Sequence, residues 1–349
     1  MSGPQASVTS WPPGEFDGNS ATIERRAGQT AGPAGRVRVL YIGGLGRSGS
    51  TLIERLIGQL PGVCAVGELV HLWDRGITDD ERCGCGDPFR KCPFWLQVGK
   101  AAFGGWDEVD VSRVAALRAQ VDRNRFIPAL ARRHLRPKMR QLLTEYTSYY
   151  ARLYAAVAGL SGCDLVVDSS KHPSLAHCLR WQPDVDLRVL HLVRDPRAVA
   201  YSWSRQVLRP DTDTQSYMTT YSSATAAKQW DVQNAAFHLL ARAGVPTMRL
   251  RYEDFTAEPE LTLHQIAGFA GRPPQDSYPF LTTHGTSWAA QLGCGHSVSG
   301  NPMRFTIGQV LISRDEKWQA SMSKAEQRAV TALTLPLLAG YGYHLGARS

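Results

Sequence analysis

The stretch VRVLYIGGLGRSGST, residues 37–51, joins an apolar run to a glycine-rich loop and to the start of an amphipathic segment. The run Val37–Gly43 is short and rich in β-branched residues, which predicts a buried parallel strand. Apolar residues recur at helical spacing in Ser50–Leu60, and the pair Pro61–Gly62 ends that segment. The sequence therefore predicts a strand, a tight loop and a helix in direct succession.

The loop between this strand and this helix has the chemistry of a phosphate-binding site. Glycines let the backbone approach a ligand closely, and a helix N-terminus offers unpaired N–H groups to an oxyanion. Gly44, Gly49 and Thr51 match the pattern G-x-x-x-x-G-K-[ST]. Ser50 replaces its lysine, which disfavours ordinary nucleoside triphosphate chemistry. Arg47 instead places a cation inside the loop; a strand-to-helix turn without a ligand is the alternative.

Short apolar runs alternate with helical segments over the rest of the chain. This alternation is typical of an α/β fold in which helices cover both faces of a parallel sheet. We predict further strands at 63–66, 164–168, 187–193 and 247–251, and helices at 196–208 and 220–243.

Composition divides the chain into a tail and one folded part. Residues 1–35 are rich in glycine, proline and serine, so we expect a flexible tail. We expect residues 36–349 to form a single domain, in which 83–160 is a largely helical insertion.

Charge and hydropathy limit the possible classes of protein. The 349-residue chain carries 39 Lys and Arg against 31 Asp and Glu, a net charge of +8, which favours anionic partners or simply solubility. No run approaches the roughly 18–20 apolar residues of a membrane span. With no visible secretory leader and only seven cysteines, we expect a cytoplasmic protein without a membrane span.

A second motif lies about 150 residues further on. Residues 187–204 read LRVLHLVRDPRAVAYSWS, a predicted strand followed by a predicted helix. Arg194 at the end of the strand and Ser202 two turns into the helix can reach the same anion. A salt bridge between Arg194 and Asp195 is the structural alternative.

Taken together, the two motifs resemble sulfotransferases that use 3′-phosphoadenosine 5′-phosphosulfate (PAPS). The resemblance implies a fold related to P-loop kinases, with a doubly wound parallel sheet. It implies that Arg194 and Ser202 bind the 3′-phosphate of the donor. It also implies that the 5′-phosphosulfate is held by the loop residues Arg47, Ser48, Gly49, Ser50 and Thr51.

The resemblance extends to two later segments. Tyr252, in the segment RYED after a predicted strand, corresponds to residues beside the adenine, although ordinary core packing is an alternative. In the segment SVSGNPMR, residues 297–304, it implies a loop that closes over the 3′-phosphate through Arg304, Ser299 and Gly300. A solvated loop is the alternative there.

Two side chains at predicted strand ends are our candidates for acceptor chemistry. Glu68 follows the short strand at 63–66, where tyrosylprotein and some bacterial carbohydrate sulfotransferases use a similar Glu as base. Lys171, after the strand at 164–168, could stabilise charge on the bridging oxygen, and Arg47 with the loop amides could hold the leaving 5′-phosphate. His172 is the second candidate for the base.

The predicted activity is transfer of a sulfuryl group from PAPS to a hydroxyl or amine of a small molecule, sugar or natural product. The acceptor is expected on the side of 83–160, and no metal is required. A P-loop kinase that uses ATP is the alternative enzyme. A nucleic-acid-binding module is disfavoured because no known recognition signature is present.

Three cysteines cluster as Cys-x-Cys-x6-Cys at Cys83, Cys85 and Cys92. Zinc sites usually pair cysteines at Cys-x2–4-Cys and need a fourth ligand, which this segment lacks, although Cys64 or Cys294 could supply it in space. We therefore expect free thiols, with a disulfide and a metal site as alternatives. The isolated histidines His71, His191 and His296 are expected to be ordinary core or surface residues.

Overall fold

A computed structural model describes residues 35–211, 216–273, 275–285 and 287–344 of the chain. The predicted tail at 1–35 lies outside these residues except for Gly35. Five parallel strands form the central sheet in the order β2-β3-β1-β4-β7. Their bounds are β1 Val37–Gly43, β2 Val63–Ala65, β3 Leu165–Lys171, β4 Val185–Val193 and β7 Thr247–Arg251.

Helices follow the strands of the sheet and cover it. They are α1 Ser50–Ile57, α2 Pro93–Phe103, α3 Val111–Val121, α4 Ile127–Leu130, α5 Pro137–Ser161, α6 Pro173–Leu179, α7 Pro196–Ser204, α8 Ser223–Arg242, α9 Tyr252–Ala257, α10 Pro259–Phe269, α11 Lys317–Ser321 and α12 Lys324–Gly340. None of the helices in the described ranges is long and apolar enough to cross a membrane.

The central strand β1 is buried on both of its faces. Val39 and Tyr41 pack into one hydrophobic cluster with the helices of the 83–160 region. Leu40 and Ile42 alternate with them and pack into a second cluster against α1 and α10. A strand covered on both sides reads as a continuous apolar run, as the sequence does here. The predicted α/β fold with a doubly wound parallel sheet is confirmed.

Two smaller sheets lie outside the predicted elements. Strands β8 Leu281–His284, β9 Ser287–Leu292 and β10 Gly308–Ile312 form an antiparallel sheet, and β5 Leu208–Arg209 pairs with β6 Ser216–Tyr217. Ala290 and Leu292 of β9 are buried in the second cluster. This antiparallel sheet carries the chain towards the C-terminal segment that reaches the cavity described below.

Candidate functional site

The carboxyl ends of all five parallel strands open on one cavity of about 670 Å³. In doubly wound sheets this is the edge at which ligands bind. The volume lies within the roughly 300–1,000 Å³ typical of ligand pockets. Each strand delivers a lining residue at or just after its end: Arg47 after β1, Glu68 after β2, Lys171 on β3, Arg194 after β4 and Tyr252 after β7.

The glycine-rich loop after β1 leads directly into the N-terminus of α1. Gly49 has φ 89° and precedes α1 without a side-chain cap, so the first N–H groups of the helix remain available. A Cβ at Gly49 would lie 2.4 Å from the ring of Tyr252. Ser50 and Thr51 line the cavity beside it. The loop therefore needs glycine here for both its backbone and its contact.

Arg47 and Ser48 carry buried donors that lack partners. The Nε and Nη2 atoms of Arg47 and the Oγ of Ser48 form no hydrogen bond within the described part of the chain. Arg47 lies over the ring of Trp203, 5.3 Å from its centre, and has φ 73°. Burial lowers the pKa of Arg47, and the charge of Glu68 partly offsets this. Unpaired buried donors and strained backbone both occur preferentially where a ligand binds.

Arg194 connects the second motif to the loop. Its Nη1 donates to the carbonyl of Arg47 at 2.9 Å, and its Nη2 lies 3.2 Å from Oδ2 of Asp315. The alternative pairing with Asp195 is not formed, because Asp195 pairs with Arg197 at 2.7 Å. Arg194 and Ser202 line the same cavity, as their spacing predicted.

Arg194 also touches the residue proposed for the adenine side. Its guanidinium lies 4.8 Å from the centre of the Tyr252 ring. The hydroxyl of Tyr252 donates to the carbonyl of Ser313 at 3.3 Å, and the residue lines the cavity. Tyr252 is thus both packed in the core and exposed to the site.

Glu68 and Lys171 both line the cavity and form an ion pair with each other. Burial alone would raise the pKa of Glu68, but the charges of Lys171 and His71 outweigh it and hold this pKa below its ordinary value. His71 Nε2 lies 3.8 Å from the second carboxylate oxygen. Lys171 has φ 67°, a left-handed conformation that is uncommon outside glycine. Glu68 is therefore ionised at neutral pH.

His172 lines the cavity next to this pair. Burial lowers its pKa to about 3, and the nearby charges of His71 and Arg118 act in the same direction. Its ring meets that of His71 edge-on at 5.8 Å. His172 is therefore neutral at physiological pH.

Glu54 is a buried residue that positions the site without lining the cavity, and the sequence analysis did not identify it. One carboxylate oxygen accepts from the backbone N–H of Gly67 at 2.6 Å, and the other accepts from Ser169 Oγ at 2.7 Å. It thereby ties the residue before Glu68 to the strand that carries Lys171. Burial raises the pKa of Glu54 to about 7, although both hydrogen bonds oppose this. The available signal was a carboxylate within the apolar segment 50–60.

The C-terminal segment reaches the site through Gly300 rather than Arg304. A Cβ at Gly300 would lie 3.1 Å from a carboxylate oxygen of Glu68. Ser299 accepts from Nη1 of Arg75, a lining residue, at 2.9 Å. Arg304 is not brought to the cavity: it is 1% exposed, and its guanidinium binds Asp211 and carbonyls of its own and a neighbouring loop.

The remaining wall of the cavity comes from α7 and the residues after it. Trp95 and Trp106 are buried in the core and do not line the cavity. The region 83–160 contributes no residue to this cavity. The residues that line this wall are Ser202, Trp203, Arg209, Tyr217, Met218, Thr219, Tyr221, Gln229 and Gln233.

Comparison with known proteins identifies a matching family and several similar structures. The family model described as "Sulfotransferase family" matches residues 40–276. No curated protein sequence is significantly similar to the chain. The structure is similar to the sulfotransferase domain of the olefin synthase from Synechococcus PCC 7002, with TM-score 0.50, 18% identity, and coverage of 90% of this chain and 98% of that one.

Two further bacterial structures are similar at lower scores. Sulfotransferase STF9 from Mycobacterium avium has TM-score 0.40 and 14% identity, with 94% of this chain and 82% of that chain covered. A sulfotransferase from Alicyclobacillus acidocaldarius has TM-score 0.39 and 12% identity, with 88% and 97% covered.

Proposed function

The chain belongs to the sulfotransferase family, and from that premise we propose that it transfers a sulfuryl group from PAPS to a hydroxyl or amine of a small-molecule or carbohydrate acceptor. The observation that carries this proposal is that Arg47 and Ser48, just before the N-terminus of α1, hold buried donors without a hydrogen-bond partner in the described ranges. Such donors suit an oxyanion that the loop would surround.

The residues fit a donor with phosphate groups at two positions. Arg47, Ser48 and the N–H groups at the start of α1 would hold the 5′-phosphosulfate. Arg194 and Ser202 would hold the 3′-phosphate, and Tyr252 would contact the base. Support for one shared ligand is that Arg194 donates directly to the backbone of Arg47.

The transfer requires charge stabilisation on the leaving 5′-phosphate. The acceptor oxygen or nitrogen forms a bond to sulfur while the bond from sulfur to the bridging oxygen breaks, and the electron pair goes to the phosphate. Arg47 and the loop amides would stabilise the charge that develops there. Lys171 lies at the other side of the loop, where it would act on the bridging oxygen.

Glu68 is our proposed base for the acceptor proton. It is ionised and lines the cavity, and the preceding residue, Gly67, is fixed by its hydrogen bond to Glu54. Bound donor would add negative charge beside Glu68 and so raise its pKa towards the range in which a carboxylate accepts a proton effectively. His172 remains the second candidate.

The acceptor would enter past the wall formed by α7 and the residues after it. Trp203, Tyr217 and Tyr221 offer aromatic faces there, and Arg209 offers a charge. These groups suit an aromatic or saccharide ring. This placement replaces our expectation that the acceptor lies against 83–160.

A thermal-shift experiment separates this proposal from a kinase activity. We expect 3′-phosphoadenosine 5′-phosphate, the desulfated donor, to raise the Tm more than ATP with Mg²⁺ does at equal concentration. The reason is that, of two ligands, the one that binds the native state more tightly stabilises it more. The reverse order would contradict the proposal. Transfer of radiolabelled sulfate from PAPS to a panel of phenols, sugars and lipids would then identify the acceptor.

A further inference from the structure

Four potential metal ligands meet on the side of the sheet that holds α2. Cys83, Cys85 and Cys92 come from one loop, and His296 comes from the C-terminal segment, 204 residues beyond Cys92. Their three Sγ atoms and one imidazole nitrogen lie within 4.8 Å of one another. The spacing of the cysteines lacked a fourth ligand in the sequence, and the fold supplies it.

Three of the six distances between these atoms are close to those of a tetrahedral site. Zinc–sulfur bonds of about 2.3 Å and zinc–nitrogen bonds of about 2.0–2.1 Å separate two sulfurs by about 3.8 Å and a sulfur and a nitrogen by about 3.6 Å. Cys85 Sγ lies 3.7 Å from Cys92 Sγ, and His296 Nδ1 lies 3.7 Å from Cys83 Sγ and 3.3 Å from Cys92 Sγ.

The two chain segments are also held in register by the backbone. Gly84 donates its N–H to the carbonyl of Ser297 at 2.9 Å, and a Cβ at Gly84 would lie 2.7 Å from the carbonyl oxygen of Gly295. Phe94 stacks on the imidazole of His296 at 4.8 Å. The ligands are therefore positioned by their surroundings before any metal binds.

We propose that Cys83, Cys85, Cys92 and His296 form a structural Zn²⁺ site. Three thiolates and one imidazole complete a tetrahedral shell and leave no position for substrate, which distinguishes a structural site from a catalytic one. This inference departs from our expectation of free thiols and is independent of the proposed donor and acceptor.

The metal would fix the segment that closes the cavity. His296 lies four residues before Gly300, whose backbone borders Glu68. The same segment carries Ser299, which accepts a hydrogen bond from Arg75. Zinc would thus join the 83–92 loop to this wall of the site.

A disulfide does not explain the geometry. A disulfide brings two sulfurs to about 2.05 Å and would leave the third thiol and the imidazole unused. The 3.7 Å between Cys85 and Cys92 is the separation expected for two ligands of one metal. All seven cysteines of the chain carry free thiols.

Elemental analysis of the full-length protein, purified without a metal-affinity step, tests the proposal. We expect about one zinc per chain in the wild type. We expect the zinc content of the C83S/C92S variant to be roughly a tenth of the wild-type value or less, because two of the four ligands are lost. Cys294→Ser, which changes an exposed cysteine next to the segment, should retain the full zinc content.

Cobalt substitution keeps the test decisive should C83S/C92S fail to fold. Wild-type protein stripped by a chelator and titrated with Co²⁺ should develop tetrahedral d–d absorption and thiolate charge-transfer bands, which saturate at one equivalent and vanish when Zn²⁺ is added. Absence of these bands would overturn the proposal. So would wild-type protein in which a disulfide joins two of the three cysteines, or in which all three react freely with a thiol reagent in the presence of Zn²⁺.

Discussion

Burial makes every charged side chain of the cavity unfavourable unless another charge or a ligand compensates it. Glu68 is compensated by Lys171 and His71, and Arg194 by Asp315. Arg47 has two guanidinium nitrogens with no partner in the described ranges. The charged residues in and around the cavity therefore differ in how their charge is compensated. Three substitutions test these differences.

Replacing Glu68 by Gln should lower turnover roughly 100-fold or more without weakening donor binding, because the amide keeps the shape but cannot accept a proton. Sulfate transfer at saturating donor measures this, with Glu108→Gln, an exposed carboxylate, as the control. Unchanged turnover would transfer the role of base to His172, and loss of turnover in His172→Asn would support that reading.

Replacing Asp315 by Ala should tighten binding of 3′-phosphoadenosine 5′-phosphate several-fold. Asp315 holds Arg194 in the free protein, so a phosphate must displace this carboxylate and overcome its repulsion. Isothermal titration calorimetry measures the change. Weaker binding would mean that Asp315 orients Arg194 for the ligand instead of competing with it.

Replacing Glu54 by Gln should make stability less sensitive to pH. Burial raises the pKa of Glu54 from 4.5 to about 7, so the folded state binds this proton more tightly than the unfolded state. Wild-type stability from this group is present below pH 4.5 and declines as pH rises through about 7, by about 3 kcal/mol. Gln can keep the contacts with Gly67 and Ser169.

The measurement for Glu54 is the difference in Tm between Glu54→Gln and the wild type at several pH values. This difference should shift in favour of the variant between pH 5 and pH 8. The comparison within one pH series removes the contributions of groups that both proteins share, such as Asp168 and His172. A difference that stays constant with pH would contradict the raised pKa.

At the scale of elements, the strand–loop–helix unit β1–α1 does most of the positioning. The loop puts the N-terminus of α1, Arg47 and Ser48 at the same place, and α1 carries Glu54 to the next two strands. Ligand affinity should therefore depend on the loop backbone as much as on its side chains.

Replacing Gly49 by Ala should weaken binding of 3′-phosphoadenosine 5′-phosphate roughly 10-fold or more. The added Cβ would meet the Tyr252 ring at 2.4 Å and would strain a backbone with φ 89°. Gly159→Ala, in helix α5 with nothing within 4 Å of its Cβ, is the control. Equal affinities for the two variants in calorimetry would show that the loop does not contact the ligand.

Each strand and helix that local pattern predicts occurs in the structure at or near its predicted bounds. β1 and β7 have the predicted bounds, and α7 and α8 are within a few residues of them. Helix α1 ends at Ile57 rather than Leu60, because Gly58 follows as its cap. The antiparallel strands β8 to β10 were not predicted, since they are short and bury few apolar side chains: β9 buries Ala289, Ala290 and Leu292, and β10 buries Ile312.

At the scale of the whole molecule, the parallel sheet gathers residues that are far apart in the chain. Candidates at strand ends could be predicted, because carboxyl ends of parallel strands share one edge. The partners that adjust these candidates are separated by long stretches of chain: Asp315 from Arg194, and His296 from the cysteine cluster. Arg304 shows the opposite case. Its charge suggested a contact with the ligand, but its guanidinium binds Arg82 and Asp211 and so joins two loops.

A crystal structure with bound 3′-phosphoadenosine 5′-phosphate tests the shared cavity most directly. The 5′-phosphate should lie against the loop with the free nitrogens of Arg47 and the hydroxyl of Ser48 within hydrogen-bond distance, and the 3′-phosphate should contact Arg194 and Ser202. A nucleotide bound elsewhere, or one that leaves Arg47 and Ser48 without a contact, would contradict the assignment of this cavity to a sulfuryl donor.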